Sequence, residues 1–206
     1  MKNIKAIIFD LGGVIYNINY QKTIDKFISI GLDKKKYIYS QEYQSEIFNQ
    51  LEIGAINSED FLLKLKKNST SKSISKIKNA WNCMLLELPK ERVKLLKTIK
   101  NKIPVFLLSN TNEIHITEIK NKIGQKRYTD FYNIFDKVYF SHEIKKRKPN
   151  LDAFKLILKE NNLAAKNVIF IDDSIQHINA AKTIGINTIF LEKNQDIMSL
   201  SLDKFL

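Results

Sequence analysis

A chain of 206 residues with a formal charge of +12 has room for one core domain and a small insertion, but not for two ordinary domains. Its 44% hydrophobic content with only six Gly and three Pro excludes a disordered or collagen-like polymer, and the lone Cys83 excludes an internal disulfide framework or cysteine-based zinc site, which suits a reducing cytoplasm. The basic residues are scattered among Asn and Ile without interleaved aromatics, Lys34 to Lys36 reads as a solvated face, and no apolar run approaches the roughly 20 residues that span a bilayer; neither nucleic acid nor a membrane is an expected partner.

In chain order, residues 4–9 form a short apolar run, Ile-Lys-Ala-Ile-Ile-Phe, which opens the sequence without a signal-peptide pattern. Asp10 and Gly12-Gly13 end it, as where a buried parallel strand enters a loop. From about 17 to 88 the apolar residues fall at helical spacing instead. Tyr20, Ile24, Phe27 and Ile28 share one predicted face, Phe61, Leu62 and Leu65 a second, and Ile74, Ile77, Trp81, Met84, Leu85 and Leu88 a third, so a small helical bundle is expected, with Trp81 in its core. It joins the rest near residues 16–19 and 88–91.

Beyond Pro89, helical patterns (Val93, Leu96, Ile99; then Ala153, Phe154, Ile157, Leu158 after Pro149) alternate with predicted strands. The strands are Val105 to Leu108, Val138 to Phe140, Val168 to Ile171 and Thr188 to Leu191, each stopping at polar residues. Such alternation predicts a parallel α/β sheet, whose ligands bind at the carboxyl ends of the strands. Asp10, Ser109-Asn110 and Asp172-Asp173 would converge there.

Four segments, Phe9-Asp10-Leu11-Gly12-Gly13-Val14, Leu108-Ser109-Asn110-Thr111-Asn112, Arg147-Lys148-Pro149 and Phe170-Ile171-Asp172-Asp173-Ser174, resemble in order and spacing the four motifs of the haloacid dehalogenase superfamily. Each alone is weak, since an Asp ending a strand is a common loop residue and Lys-Pro a common helix entry. The resemblance spans the chain. It implies a Rossmann-like three-layer core in residues 1–16 and 89–206, interrupted by a small α-helical cap in residues 17–88. It also implies a Mg²⁺-dependent phosphatase acting on a small phosphorylated metabolite, as a monomer or homodimer.

The implied roles have a physical basis. Asp10 is the nucleophile that takes the phosphoryl group, splitting one difficult step into two. Asp10, the carbonyl of Gly12, Asp172 and Asp173 hold Mg²⁺, an oxygen-only set suited to a hard cation. Ser109, Asn110 and Gly13 bind phosphate, Lys148 neutralises charge on phosphate and on Asp10, and Arg147 is expected on the surface with Lys145 and Lys146. Glu52, in the stretch Leu51-Glu52-Ile53-Gly54, faces the substrate from the cap, unless Gly54 merely ends a helix. The paired acids at 172 and 173 favour phosphoryl chemistry over metal-free dehalogenation.

One position departs from the pattern. Most phosphatases of this superfamily carry an acid two residues after the nucleophile, and here that residue is Gly12. Turnover is then impaired, or another group or solvent moves the proton, or the leaving group departs easily, as an anomeric oxygen does. The Gly12 position, the paired acids and the run Ser-Asn-Thr-Asn-x-x-His from Ser109 to His115 resemble bacterial α-D-glucose-1-phosphate phosphatases. His115, His142 and His177 are candidate replacement acids. A metabolite-binding regulatory protein, or a phosphotransferase or phosphomutase, is the alternative.

Overall fold

The computed structural model describes residues 3–33, 36–37, 39–40 and 43–202. Lys34 and Lys35 of the first basic stretch lie outside them, and Lys36 is exposed with its Nζ donating to Asn68 Oδ1 at 3.0 Å. The chain opens with β1 (Ala6–Phe9), every residue of which is buried. Helices follow before the next strand, the first of them α1 (Tyr20–Ser29), α2 (Glu46–Glu52), α3 (Ser58–Lys67) and α4 (Ile74–Asn82). After them come α5 (Lys90–Lys100), β2 (Val105–Ser109), α6 (Glu113–Ile123), α7 (Gln125–Tyr132), β3 (Lys137–Phe140), a single turn α8 (Ser141–Ile144), α9 (Leu151–Glu160), β4 (Val168–Asp172), α10 (Ile175–Thr183) and β5 (Asn187–Phe190).

The strands form one parallel sheet in the order β3-β2-β1-β4-β5. Alternation along each strand feeds two cores. Ile7, Phe9, Leu107 and Ile171 face one side with helices α5, α6 and α7; Ala6, Ile8, Phe106, Leu108 and Phe170 face the other, against Ala153, Phe154 and Ile157 of α9 and Ile178 of α10. Apolar side chains on both faces are what a parallel sheet covered on both sides requires. The edge strand β5 starts and stops one residue earlier than the sequence suggests and is only half-buried, because one of its edges has no strand to pair with.

The first core continues into the helices between β1 and α5 through aromatic packing. Trp81 is fully buried, stacked on Phe48 with centroids 5.2 Å apart and on His115 of α6 at 4.4 Å. On α1 the expected apolar face is rotated: Ile28 is 48% exposed, while Thr23 is buried. Its hydroxyl explains this, donating to the Trp81 carbonyl and accepting from the Met84 N–H, both at 3.0 Å. The segments at 17–19 and 84–87 run antiparallel, with Asn17 N–H donating to Glu87 O and Leu86 N–H to Asn17 O, so the two crossings hold each other. Among the described residues no helix is long and apolar enough to cross a membrane.

Candidate active site

The strand order puts the carboxyl end of β1 between those of β2 and β4. Asp10 N–H donates to Ile171 O at 2.9 Å, so the ladder runs on to the first polar residue and fixes the direction of its side chain. Asp10, Asp172 and Asp173 each offer an oxygen within 4.8 Å of the others. Lys148, fully buried, ties two of them together: its Nζ donates to Asp10 Oδ1 and to Asp172 Oδ2, both at 2.6 Å.

Lys148 is held from its backbone. Its N–H donates to Asn110 Oδ1 at 2.9 Å, and Asn110 Nδ2 donates back to the Lys148 carbonyl at 2.8 Å. The Asn110 amide, expected on a phosphate, is thus a clamp on the lysine loop. A second clamp joins β2 to β3: Thr111 N–H donates to Ser141 Oγ, which donates to Thr111 O. Ser141 carried a sequence signal, as the polar stop after the third strand, but no motif pointed to it. Ser109, at the end of β2, lines the pocket.

The two neighbouring acids are placed differently. Asp172 is fully buried; its Oδ1 accepts from Ser174 N–H at 2.7 Å, and His177 Nδ1 lies 3.0 Å from both its oxygens. Asp173 lines the pocket beside Asp10. Gly13 makes room for it: at φ 81°, a Cβ there would sit 2.0 Å from Asp173 Oδ2, so no other residue fits without moving the carboxylate. The Gly13 N–H itself donates to Tyr16 O at 2.9 Å. At Gly12 a Cβ would meet Ile18 Cδ1 at 3.0 Å.

Electrostatically the cluster is short of positive charge. Burial pushes the Asp10 carboxyl up, Lys148 only partly opposing it and Asp172 adding to it. Burial, with Asp10 and Asp172, pushes Asp173 up to about 8. Asp172 feels the same burial, but Lys148 and His177 outweigh it and hold that carboxyl below its usual range. Lys148 is raised, its carboxylate partners outweighing its own burial. Three carboxylates against one lysine, all offering oxygen, fit a hard divalent cation.

A second buried carboxylate shares the pocket. Glu52, at the end of α2, is 2% exposed. Its Oε2 lies 3.1 Å from Arg147 Nη2 and its Oε1 accepts from Gln44 Nε2 at 3.4 Å. Arg147 was expected on the solvated surface with Lys145 and Lys146. Instead it lines the pocket and also donates to Asn49, because the turn that buries Lys148 aims its neighbour at α2. Lys145 Nζ donates to Gly54 O at 3.1 Å. Gly54 both terminates α2, at φ 60°, and abuts His142 O, where a Cβ would come within 2.5 Å. Gln44 had no sequence signal.

The three histidines separate. His115 begins α6 behind the Asn112 cap, lies buried against Trp81, and is held at about 4 by that burial; it is neutral packing, not an acid. Burial also lowers half-buried His142, which stacks on Phe140. Only His177 lines the pocket with a carboxylate partner.

Similarity to known proteins agrees with this geometry. The chain is 26% identical to D-ribitol-5-phosphate phosphatase of Bacteroides thetaiotaomicron over 94% of each. A haloacid dehalogenase family enzyme from the same organism, solved with magnesium and inorganic phosphate, superposes with a TM-score of 0.86 at 31% identity, covering 94% of this chain and 96% of that one. A haloacid dehalogenase-like hydrolase from Porphyromonas gingivalis gives 0.82 at 25% identity over 95% of both chains. Residues 4–185 match the family described as haloacid dehalogenase-like hydrolase, and the chain belongs to that family.

Proposed function

We propose that the chain is a Mg²⁺-dependent phosphatase that removes phosphate from a small sugar or polyol phosphate through an aspartyl-phosphate on Asp10. The observation that carries this is Asp10 at the end of β1, bonded to Lys148 and within 4.8 Å of Asp172 and Asp173. The named activity of the D-ribitol-5-phosphate phosphatase relative and the magnesium and phosphate in the solved relative support it. The Asp10 carboxylate attacks phosphorus, the ester oxygen leaves and takes a proton from solvent, Gly12 supplying no acid, and water then cleaves the acyl phosphate. Ser109 and Asn110 are assigned to the phosphate, Asn110 also setting the lysine loop; Gly13, whose N–H is given to Tyr16 O, serves the site by leaving room for Asp173. Lys148 offsets the charge that builds on phosphate and Asp10.

Asp10, Asp172, Asp173 and the Gly12 carbonyl would hold Mg²⁺, which neutralises the carboxylates and polarises the phosphate when bound. Asp172 has both oxygens already engaged, so Asp10 and Asp173 are assigned the direct contacts. Residues 17–88 act as a cap over a core of 1–16 and 89–206, excluding water during the first transfer, with Glu52 turned to the substrate.

Gly12 favours an anomeric phosphate, whose leaving oxygen needs little protonation; the relative's name favours a polyol phosphate. Phosphate release from a metabolite panel with Mg²⁺, run beside Asp10→Asn, tests both. The substitution is expected to lower turnover by about 10³-fold or more, and activity that survives it sinks the mechanism. Anomeric esters outpacing primary alkyl esters supports the first substrate and equal rates the second. Gly12 also favours a phosphometabolite-binding regulator; phosphorylated Asp10 that accumulates without product release would select it.

A further inference from the structure

Glu52, Gln44 and Arg147 bury polar atoms that their own contacts leave incomplete. Arg147 Nε and Gln44 Oε1 are buried without a hydrogen-bond partner, and Glu52 Oε2 faces Arg147 Nη2 out of line for a hydrogen bond. Each such atom, left dry, forfeits the hydrogen bond it would make in water. All three side chains line the same pocket as Asp10 and Asp173. Their sum is one cation and one anion, so this wall carries hydrogen-bonding capacity without net charge.

We infer that Arg147, neutralised by Glu52, is a specificity-determining residue, and that with Gln44 it selects phosphate monoesters whose other end is hydroxylated and uncharged. This rests on the phosphatase reading above and adds the chemical class of substrate. A hydroxyl is the group that fits, because it donates to the acceptors on Glu52 and Gln44 and accepts from Arg147 Nε. A second phosphate or a carboxylate only accepts. It would meet the Glu52 carboxylate and Gln44 Oε1 while the charge of Arg147 is already neutralised by Glu52. A plain alkyl chain leaves Arg147 Nε, Gln44 Oε1 and Glu52 Oε2 without partners, the condition under which hydrogen-bonding sites reject analogues most strongly.

The test compares three esters of one length with Mg²⁺: a pentitol 5-phosphate, n-pentyl phosphate and a pentitol 1,5-bisphosphate. The wild type is expected to favour the first over the second by about a hundredfold or more in kcat/KM, and over the third by about tenfold or more. Glu52→Gln, which leaves Arg147 with an unpaired charge, is expected to reverse the second ratio in favour of the bisphosphate. Arg147→Gln, which does not expose a cation, is expected to lower the preference over pentyl phosphate without favouring the bisphosphate. Equal rates on the first two esters, or a bisphosphate ratio that Glu52→Gln leaves unmoved, would overturn the inference. Calorimetric binding of the same compounds to Asp10→Asn reads the ranking without turnover, so a protein that releases no phosphate counts against the phosphatase reading while the ranking still decides this one.

Discussion

Arg147 and Lys148 are neighbours in sequence, yet Lys148 serves Asp10 and Asp172 while Arg147 serves Glu52. Lys148 is wholly enclosed, with both its contacts at 2.6 Å and its backbone clamped by Asn110. Arg147 holds Glu52 at a looser 3.1 Å and leaves its Nε without a partner. The first arrangement is saturated and fits a fixed reaction centre that must not reorganise during phosphoryl transfer. The second, on the wall shared with α2, keeps hydrogen-bonding capacity in reserve.

The largest break in that contrast comes at Lys148. Lys148→Met preserves volume but strands Asp10 and Asp172, so magnesium-free protein is expected to lose about 3–5 kcal/mol in urea unfolding, and turnover about 10³-fold. Added Mg²⁺ restores part of the stability, because a cation again faces the carboxylates. A variant as stable as wild type without metal would mean that the lysine is not what balances the cluster.

Much of this first region was legible in the sequence and little of the second. Asp10, Ser109 and Asp172 each end an apolar run, and a parallel sheet brings such ends together whatever the intervening chain does. The fully buried central strands, read as continuous apolar runs, and the helical stretch between β1 and β2 followed from patterning in the same way. Arg147 and Gln44 are different. Nothing local separates a lysine or arginine aimed into a pocket from one in water, and the pairing of Arg147 with Glu52, 95 positions away, exists only once α2 has docked. The misplaced Ile28 has a similar origin: Thr23 is polar, and its two partners at residues 81 and 84 are tertiary.

The join between these regions gives the next two tests. His115 stacks on Trp81 across α4 and α6, and burial lowers it from 6.5 to about 4. Between those values the unfolded chain binds this proton and the folded one does not, so the contribution of His115 to stability rises with pH through this window and is lost as pH falls from 6.5 to 4. The full loss is about 3 kcal/mol. His115→Gln is expected to flatten the dependence of unfolding free energy on pH over that range; an unchanged slope would mean that another group carries the acid sensitivity.

The smallest effect is expected at Ser58, whose Oγ donates to Glu113 Oε2 at 2.8 Å. Like His115 with Trp81, this contact joins the helices after β1 to α6, and its geometry is better than that of Glu52 with Arg147. It is exposed, however. Water replaces the lost partner on either side, and Glu113 keeps its favourable place in the first turn of α6, near the positive end of the helix dipole. Ser58→Ala should therefore change unfolding free energy by less than about 0.5 kcal/mol. If it cost as much as the loss at His115, the two halves would be held by their exposed rim and not by the buried stack at Trp81.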